Sequence, residues 1–175
     1  MTRNITFTLA SLAALGACTT FDEVPTSRVA TGTFHLTNGL PAGTAVITAS
    51  GARLTLTLVA TGLAAGAHGI HLHMVGKCAS PSFTTAGGHL NPAGHQHGTN
   101  NSAGSHLGDL PNLMIDSEGR GVLTAQISGP LSEAENVLFD ADGTAIVIHA
   151  APDDYKTDPS GNSGERIACA VLQRV

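Results

Sequence analysis

Arg53-Leu54-Thr55-Leu56-Thr57-Leu58-Val59-Ala60-Thr61 alternates apolar and polar side chains through its centre. Successive side chains of a strand point to opposite faces, so the leucines share one side and the threonines the other. A segment of this kind belongs to a sheet with one covered face. Upstream, residues 28–36 and 44–49 read as two further strands, with turn signals at Asn38-Gly39 and Ser50-Gly51. Downstream, Thr61-Gly62-Leu63 and Gly66 turn the chain into a strand over residues 68–74. More strands are expected at 112–115, at 122–127 after a turn at Gly119, at 144–148 and at 167–173. Residues 128–142 have room for a helical turn. Residues 76–108 and 149–166 show no period of either kind, and long loops in a compact domain are functional or disordered. Eight short strands and two long loops predict an all-β, Greek-key sandwich or barrel.

The next element out carries the chemistry. In Ala67-His68-Gly69-Ile70-His71-Leu72-His73, His71 and His73 are two apart and share a strand face, while Ile70 and Leu72 point to the core side. Eight of the nine histidines lie between His68 and His149. His89, His95, His97 and His106 sit in the first long loop with Asp109 just beyond it, and His149 opens the second. Imidazoles with one carboxylate suit zinc or copper rather than magnesium or calcium.

Composition narrows the class. The chain has 175 residues, 12% of them charged, 21 glycines and no tryptophan, which fits one loop-rich β domain. A net charge of -5 argues against nucleic acid as a partner. Arg3, the apolar run over residues 5–15 and the sequence Leu15-Gly16-Ala17-Cys18 resemble a bacterial lipoprotein signal. The apolar run is too short to span a bilayer. The expected product is an exported, periplasmic protein. Residues 1–17 would be removed, Cys18 lipidated and held at a membrane, and residues 18–28 would serve as a flexible tether to a domain over 29–175. An oxidising compartment then favours a disulfide between the remaining cysteines, Cys78 and Cys169.

From about Gly32 onward the chain resembles the copper/zinc superoxide dismutases. The resemblance rests on Gly62-Leu63-Ala64-Ala65-Gly66-Ala67-His68-Gly69-Ile70-His71-Leu72-His73, Gly87-Gly88-His89-Leu90-Asn91-Pro92, His106-Leu107-Gly108-Asp109-Leu110, Val147-Ile148-His149-Ala150-Ala151-Pro152-Asp153-Asp154 and Gly161-Asn162-Ser163-Gly164-Glu165-Arg166-Ile167-Ala168-Cys169, in that order. It implies an enzyme that disproportionates superoxide with one copper and one zinc per chain. Copper would be held by His71, His73, His89 and His149, and zinc by His89, His97, His106 and Asp109. His89 would bridge the two. Arg166 would dock the substrate anion, Asp153 would hydrogen-bond one ligand of each metal, and Cys78–Cys169 would be the family disulfide. The two long loops would be the metal loop and the electrostatic loop.

Some residues read more plainly. His68 is out of register with His71 and reads as a hydrogen-bonded core histidine, and His35 as a surface residue. Spacing does not choose between His95 and His97. The family places its ligand just before a glycine, which His97-Gly98 satisfies. Lys156 is a steering candidate or an ordinary solvated lysine. The interval from Cys78 to His89 is longer than in cytosolic eukaryotic enzymes, so their dimer contact does not carry over, and a homodimer is left open. The rival readings are a metal-carrying module of the same fold without turnover, which needs neither Arg166 nor a bridging His89, and a zinc hydrolase, which needs an open zinc position.

Overall fold

The computed structural model describes residues 25–129 and 131–175. Ten strands, one short helix and one 3-10 turn appear in it: β1 Thr26–Leu36, β2 Pro41–Ser50, β3 Arg53–Thr61, β4 Gly66–His68, β5 Ile70–His73, the 3-10 turn Thr84–Ala86, β6 Leu113–Ile115, β7 Arg120–Ile127, α1 Leu131–Leu138, β8 Ala145–His149, β9 Arg166–Val171 and β10 Gln173–Arg174. The main sheet is antiparallel in the order β5-β8-β9-β1-β2-β3-β7, with β10 also paired to β1. Strands β4 and β6 form a separate two-stranded ladder. β4 leads through Gly69 into β5, and β6 leads through the Gly119 turn into β7. The small ladder therefore links the two edge strands of the main sheet and curls it into a half-barrel.

Period two decides what the barrel encloses. Leu54, Leu56, Leu58 and Ala60 of β3 are fully buried, while Thr57 is exposed. They meet Phe34, Ile47, Ile70, Leu72, Ile146 and Ile148 in one large core. Each fully buried aliphatic or aromatic side chain of this size contributes about 1.5–3 kcal/mol. β5 and β8 break the alternation, because every residue in them is buried. Their second face is roofed by the loop that follows β5. Beneath that roof Phe83, Ala86, Ala145, Val147 and Cys169 form a second, smaller core. The loop is pinned by the Cys78–Cys169 disulfide, with a Cα–Cα distance of 5.8 Å.

Two expectations change. The single strand over 68–74 is two strands in different ladders. Gly69 sits at the break, with its N–H bonded to Ala151 O and its carbonyl to the His149 N–H. The tether ends earlier than residue 28, because Thr26, Ser27 and Arg28 already pair with Ser50, Ala49 and Thr48. The stretch with room for a helical turn does hold one, α1, which buries Ala134 and Leu138. The signal segment and Cys18 lie outside the described residues.

Candidate metal centre

β5 supplies the floor of the site. Ile70 and Leu72 fill the barrel, so His71 and His73 project from the outer face beneath the loops. The free edge of β5 is paired by the loop itself: Leu72 N–H bonds Gly108 O at 2.9 Å, Leu90 N–H bonds Leu72 O at 2.8 Å and Met74 N–H bonds Gly88 O at 3.0 Å. This pseudo-strand sets His89 opposite His73 and Asp109 opposite His71. β8 ends at His149, which completes the group His71, His73, His89 and His149.

Each ring is fixed by its far nitrogen. His73 Nδ1–H donates to Gly87 O at 3.0 Å, and His149 Nδ1–H donates to Gly164 O at 3.1 Å. His71 Nε2–H donates to Asp153 Oδ2 at 2.8 Å, and His97 Nε2–H donates to Asp153 Oδ1 at 3.0 Å. The nitrogens left over are His71 Nδ1, His73 Nε2, His89 Nε2, His97 Nδ1 and His149 Nε2, all buried and without a hydrogen-bond partner. Five such atoms in one region would be costly unless something accepts their lone pairs. A soft transition-metal ion does so, and the tautomers are already set for it.

A second cluster adjoins the first. Asp109 Oδ1 lies 3.2 Å from His89 Nδ1, 3.0 Å from His97 Nδ1 and 3.1 Å from His106 Nδ1, while His106 Nδ1 lies 3.3 Å from His89 Nδ1. Tetrahedral zinc with arms of about 2.0–2.1 Å has ligand–ligand edges of about 3.3 Å, so these atoms have the right mutual spacing. His97 Nδ1 is close to Asp109 Oδ1 yet off the line of a hydrogen bond. His71 also falls within reach of this cluster, because its ring stacks on His89 with centroids 3.8 Å apart. Its Nε2 is occupied by Asp153, so its free Nδ1 belongs with the first group. His89 alone presents one nitrogen to each cluster.

Around this centre the loops are tied to one another. Asp109 Oδ2 accepts from Gly98 N–H at 2.9 Å and His106 N–H at 3.0 Å. His97 N–H donates to Asp158 Oδ1 at 2.7 Å across the two loops. Asp153 is held by a two-point pairing with Asn112: Asn112 Nδ2–H donates to Asp153 O at 2.9 Å, and Asp153 N–H donates to Asn112 Oδ1 at 2.8 Å. Tyr155 Oη accepts from Asn112 N–H at 2.7 Å.

Electrostatics follow burial. Desolvation lowers the pKa of His73 to about 2, of His149 to about 3 and of His89 to about 4, and lowers that of His71. The imidazoles are therefore neutral and able to ligate at ordinary pH. For Asp109 and Asp153 desolvation works the other way, and hydrogen bonds from the surrounding N–H groups outweigh it, holding both carboxyls below their usual range. Arg166 is half-buried, and burial lowers its pKa. An arginine remains a cation in such a setting. Its charge is felt at both His73 and His149. Arg166 donates from Nη1 to Phe83 O at 2.8 Å and from Nη2 to Gly87 O at 2.7 Å.

The other histidines separate cleanly. His68 is buried between the carbonyls of His149 and Ala64, at 2.7 and 2.9 Å. His95 is exposed and bonded to Ser105 O. His35 is exposed on β1. Lys156 is exposed, with its N–H bonded to Asp154. Sequence reasoning missed the carbonyls of Phe83, Gly87 and Gly164, and the supports Asn112 and Tyr155. A backbone acceptor leaves no side-chain signature. Only the Gly87-Gly88 pair before His89 hinted at a close approach.

The chain is similar in sequence and fold to known proteins. The family model for copper/zinc superoxide dismutase matches residues 41–172. Copper/zinc superoxide dismutase 2 of Aquifex aeolicus is 42% identical over 142 residues, which cover 78% of this chain and 82% of that protein. A copper/zinc superoxide dismutase of Caulobacter vibrioides is 39% identical over 142 residues, covering 78% and 80%. A SOD-like protein from Bacillus subtilis, known from its crystal structure, aligns with a TM-score of 0.76 at 35% identity, over 82% of this chain and 97% of that chain. Since the matched span runs from β2 through both loops and β9, the chain belongs to the copper/zinc superoxide dismutase family.

Proposed function

We propose that this protein is a superoxide dismutase, converting two superoxide anions and two protons into dioxygen and hydrogen peroxide. The observation that carries this reading is the set of buried imidazole nitrogens with free lone pairs, each tautomer fixed by a hydrogen bond on the far side of its ring. His71, His73, His89 and His149 are assigned to copper; His89, His97, His106 and Asp109 to zinc. When bound, copper supplies the one-electron exchange that oxidises one superoxide and reduces the next, and zinc supplies a fixed charge without redox chemistry.

The chain's own groups do the rest. Arg166, braced by two carbonyls, offers its remaining N–H donors and its charge to a small anion. Fixed donors of this kind act without reorganising at the moment of reaction. His89 Nε2, when not engaged by copper, would hold a proton taken from solvent and would give it to the peroxide product. Asp153 keeps the rings of His71 and His97 in register, so that neither tilts as charge changes beside it. A carrier module would share the nitrogens without using Arg166. A hydrolase would need an open position where Asp109 stands.

Beyond the site, we read residues 1–17 as an export signal, Cys18 as the lipid-bearing residue and the periplasm as the compartment, on the strength of Leu15-Gly16-Ala17-Cys18. The catalytic domain then follows a short tether. The dimer contact of the eukaryotic enzymes is not carried over to this chain, whose interval from Cys78 to His89 is longer, and a homodimer is left open. Metal analysis of the purified protein with a superoxide-consumption assay tests the central reading. One copper and one zinc per chain with catalytic consumption are expected; stoichiometric metals without turnover would leave the carrier. Membrane fractionation of wild type and Cys18→Ala tests the anchor.

A further inference from the structure

The four residues assigned to zinc sit deep. Side-chain exposure is 0% for His97, 2% for Asp109, 4% for His89 and 6% for His106. The loops are tied over them by bonds to Asp109, Asp153 and Asp158. His106 is the ring nearest to an opening. Its Nδ1 faces Asp109 Oδ1, and the residue also lines a cavity of about 590 Å³ between the loop and α1. His95, Ser105 and His106 form one wall of this cavity. Glu133, Asn136 and Val137 of α1 form the other. Their spacing of three and four puts them on one face of the helix. Arg166 borders a different cavity, with Thr84 and Gly164, and the two cavities share no lining residue.

His95 is exposed yet fixed. Its N–H donates to Asn91 Oδ1 at 3.0 Å, and its carbonyl accepts from Asn91 Nδ2–H at 2.8 Å. Its Nδ1–H donates at 3.0 Å to the carbonyl of Ser105, the residue before His106. A carbonyl only accepts, so the ring hydrogen is on Nδ1 and Nε2 keeps its lone pair. Zinc is bound by cysteine, histidine and carboxylate side chains. Of these the lining offers His95, His106 and Glu133, and no lysine or arginine lines the cavity among the described residues.

We propose that this cavity is the port through which zinc reaches and leaves its site, with His95 Nε2 as its first ligand and Glu133 as the charge that draws it in. The port rests on the assignment of zinc to His89, His97, His106 and Asp109, and needs no turnover. A chain of net charge -5 attracts a divalent cation, and a carboxylate at the rim directs that attraction to one mouth. Each protein ligand replaces one water of the hydrated ion. Once His95 holds the ion, the next ligand meets it within the same chain, at an effective concentration on the order of millimolar. His106 shares the cavity with His95, and His97 follows it by two residues. Exit retraces entry. His95 therefore speeds zinc in both directions and leaves its affinity unchanged, whereas a ligand of the final site would change affinity. Copper, grouped on the Arg166 side, does not pass this way.

The test measures zinc in both directions. Release from the fully loaded protein is followed by colour formation with pyridylazoresorcinol, and uptake by the metal-free protein by stopped-flow with a fluorescent zinc indicator. His95→Ala should slow uptake and release alike by about tenfold, the low end of what local attraction adds to an encounter rate. Their ratio, the zinc affinity, should stay at the wild-type value. Asn136→Trp, which fills the cavity from the helix side, should also slow both. Glu133→Gln should slow uptake and weaken its dependence on salt. Copper uptake should be unchanged in all three. Wild-type zinc rates in His95→Ala and Asn136→Trp would overturn the port and leave the zinc assignment standing. Faster release from His95→Ala with unchanged uptake would also overturn it, since His95 would then be only a prop for Ser105. Zinc that moves as expected in a protein without turnover would count against the dismutase reading and leave the port standing. A protein that binds no zinc would overturn the port together with the assignment.

Discussion

Asp153 is the residue on which the two metal groups depend together, and a glycine leaves room for it. Gly161 has a φ of +63°, and a Cβ there would fall onto Asp153 Oδ1 and within 2.7 Å of His97 Nε2. Gly161→Ala should therefore displace the carboxylate from between His71 and His97. Losing such a support weakens metal affinity by about 10–100-fold. Competition with a chelator should show both metals released more easily, with the disulfide intact. At this scale much was legible from sequence. Apart from His97 and Cys78, the candidate ligands, Asp153 and the disulfide pair lie in quoted motifs, because side-chain chemistry is written in the residue type. Period two separated His68 from His71. The choice of His97 over His95 required the following glycine: an added Cβ on Gly98, at φ +99°, would strike the carbonyl of Tyr155. The strand break at Gly69 was not legible. An apolar-polar pattern continues across it, and only pairing to two different ladders shows it.

At the scale of elements, the loop between β5 and β6 does three things. It pairs the free edge of β5, roofs the second core and braces Arg166. The disulfide ties it to β9 across a sequence separation of 91 residues. In the chain-entropy model a cross-link of that span is worth about 4–5 kcal/mol, as an upper figure. Cys169→Ser should lower the thermal midpoint in calorimetry. It should also reduce activity in the fraction that stays folded and metal-bound, because Phe83 and Gly87 are no longer pinned. Unchanged activity per bound copper would show that the brace stands without the disulfide. The loop itself was legible only as a region without period. Its folded path depends on backbone hydrogen bonds such as Leu72 N–H to Gly108 O, which no residue type announces.

For the whole molecule, two fields matter. The first is protonation. In the metal-free protein, His73, His89 and His149 have folded pKa values of about 2, 4 and 3, below their unfolded value near 6.5. The unfolded chain therefore binds more protons as pH falls below about 6.5, and stability falls with it. The slope is about 1.4 kcal/mol per pH unit for each ring protonated only on unfolding. Asp109 and Asp153, also lowered, act in the same direction below about pH 4. Thermal melts of the metal-free protein should be flat above pH 7 and should drop steeply between about pH 6 and 4. A flat profile through that window would mean the rings are not buried neutral. The second field is net charge. At -5 the chain repels superoxide overall, so encounter depends on local positive charge near Arg166. Activity should fall as salt rises and the Debye length shortens to about 10 Å at 0.1 M. Arg166→Ala should retain both metals, lose most of the rate and show a weaker salt dependence. Loss of copper in that variant would mean Arg166 is structural.

The position of β9 has a bearing on how the molecule comes into being. This late strand lies between β8 and β1, the first strand, in the middle of the sheet. A chain made from its N-terminus therefore meets an open slot until nearly its last residues arrive. Cys169 and Arg166 enter on that same strand. Non-local pairings of this kind close slowly. A nascent chain cannot place Arg166, the cross-link or the sheet beneath the histidines before β9 arrives. Under the export proposed above, it would stay threadable through a translocation channel and would bind its metals only on the far side.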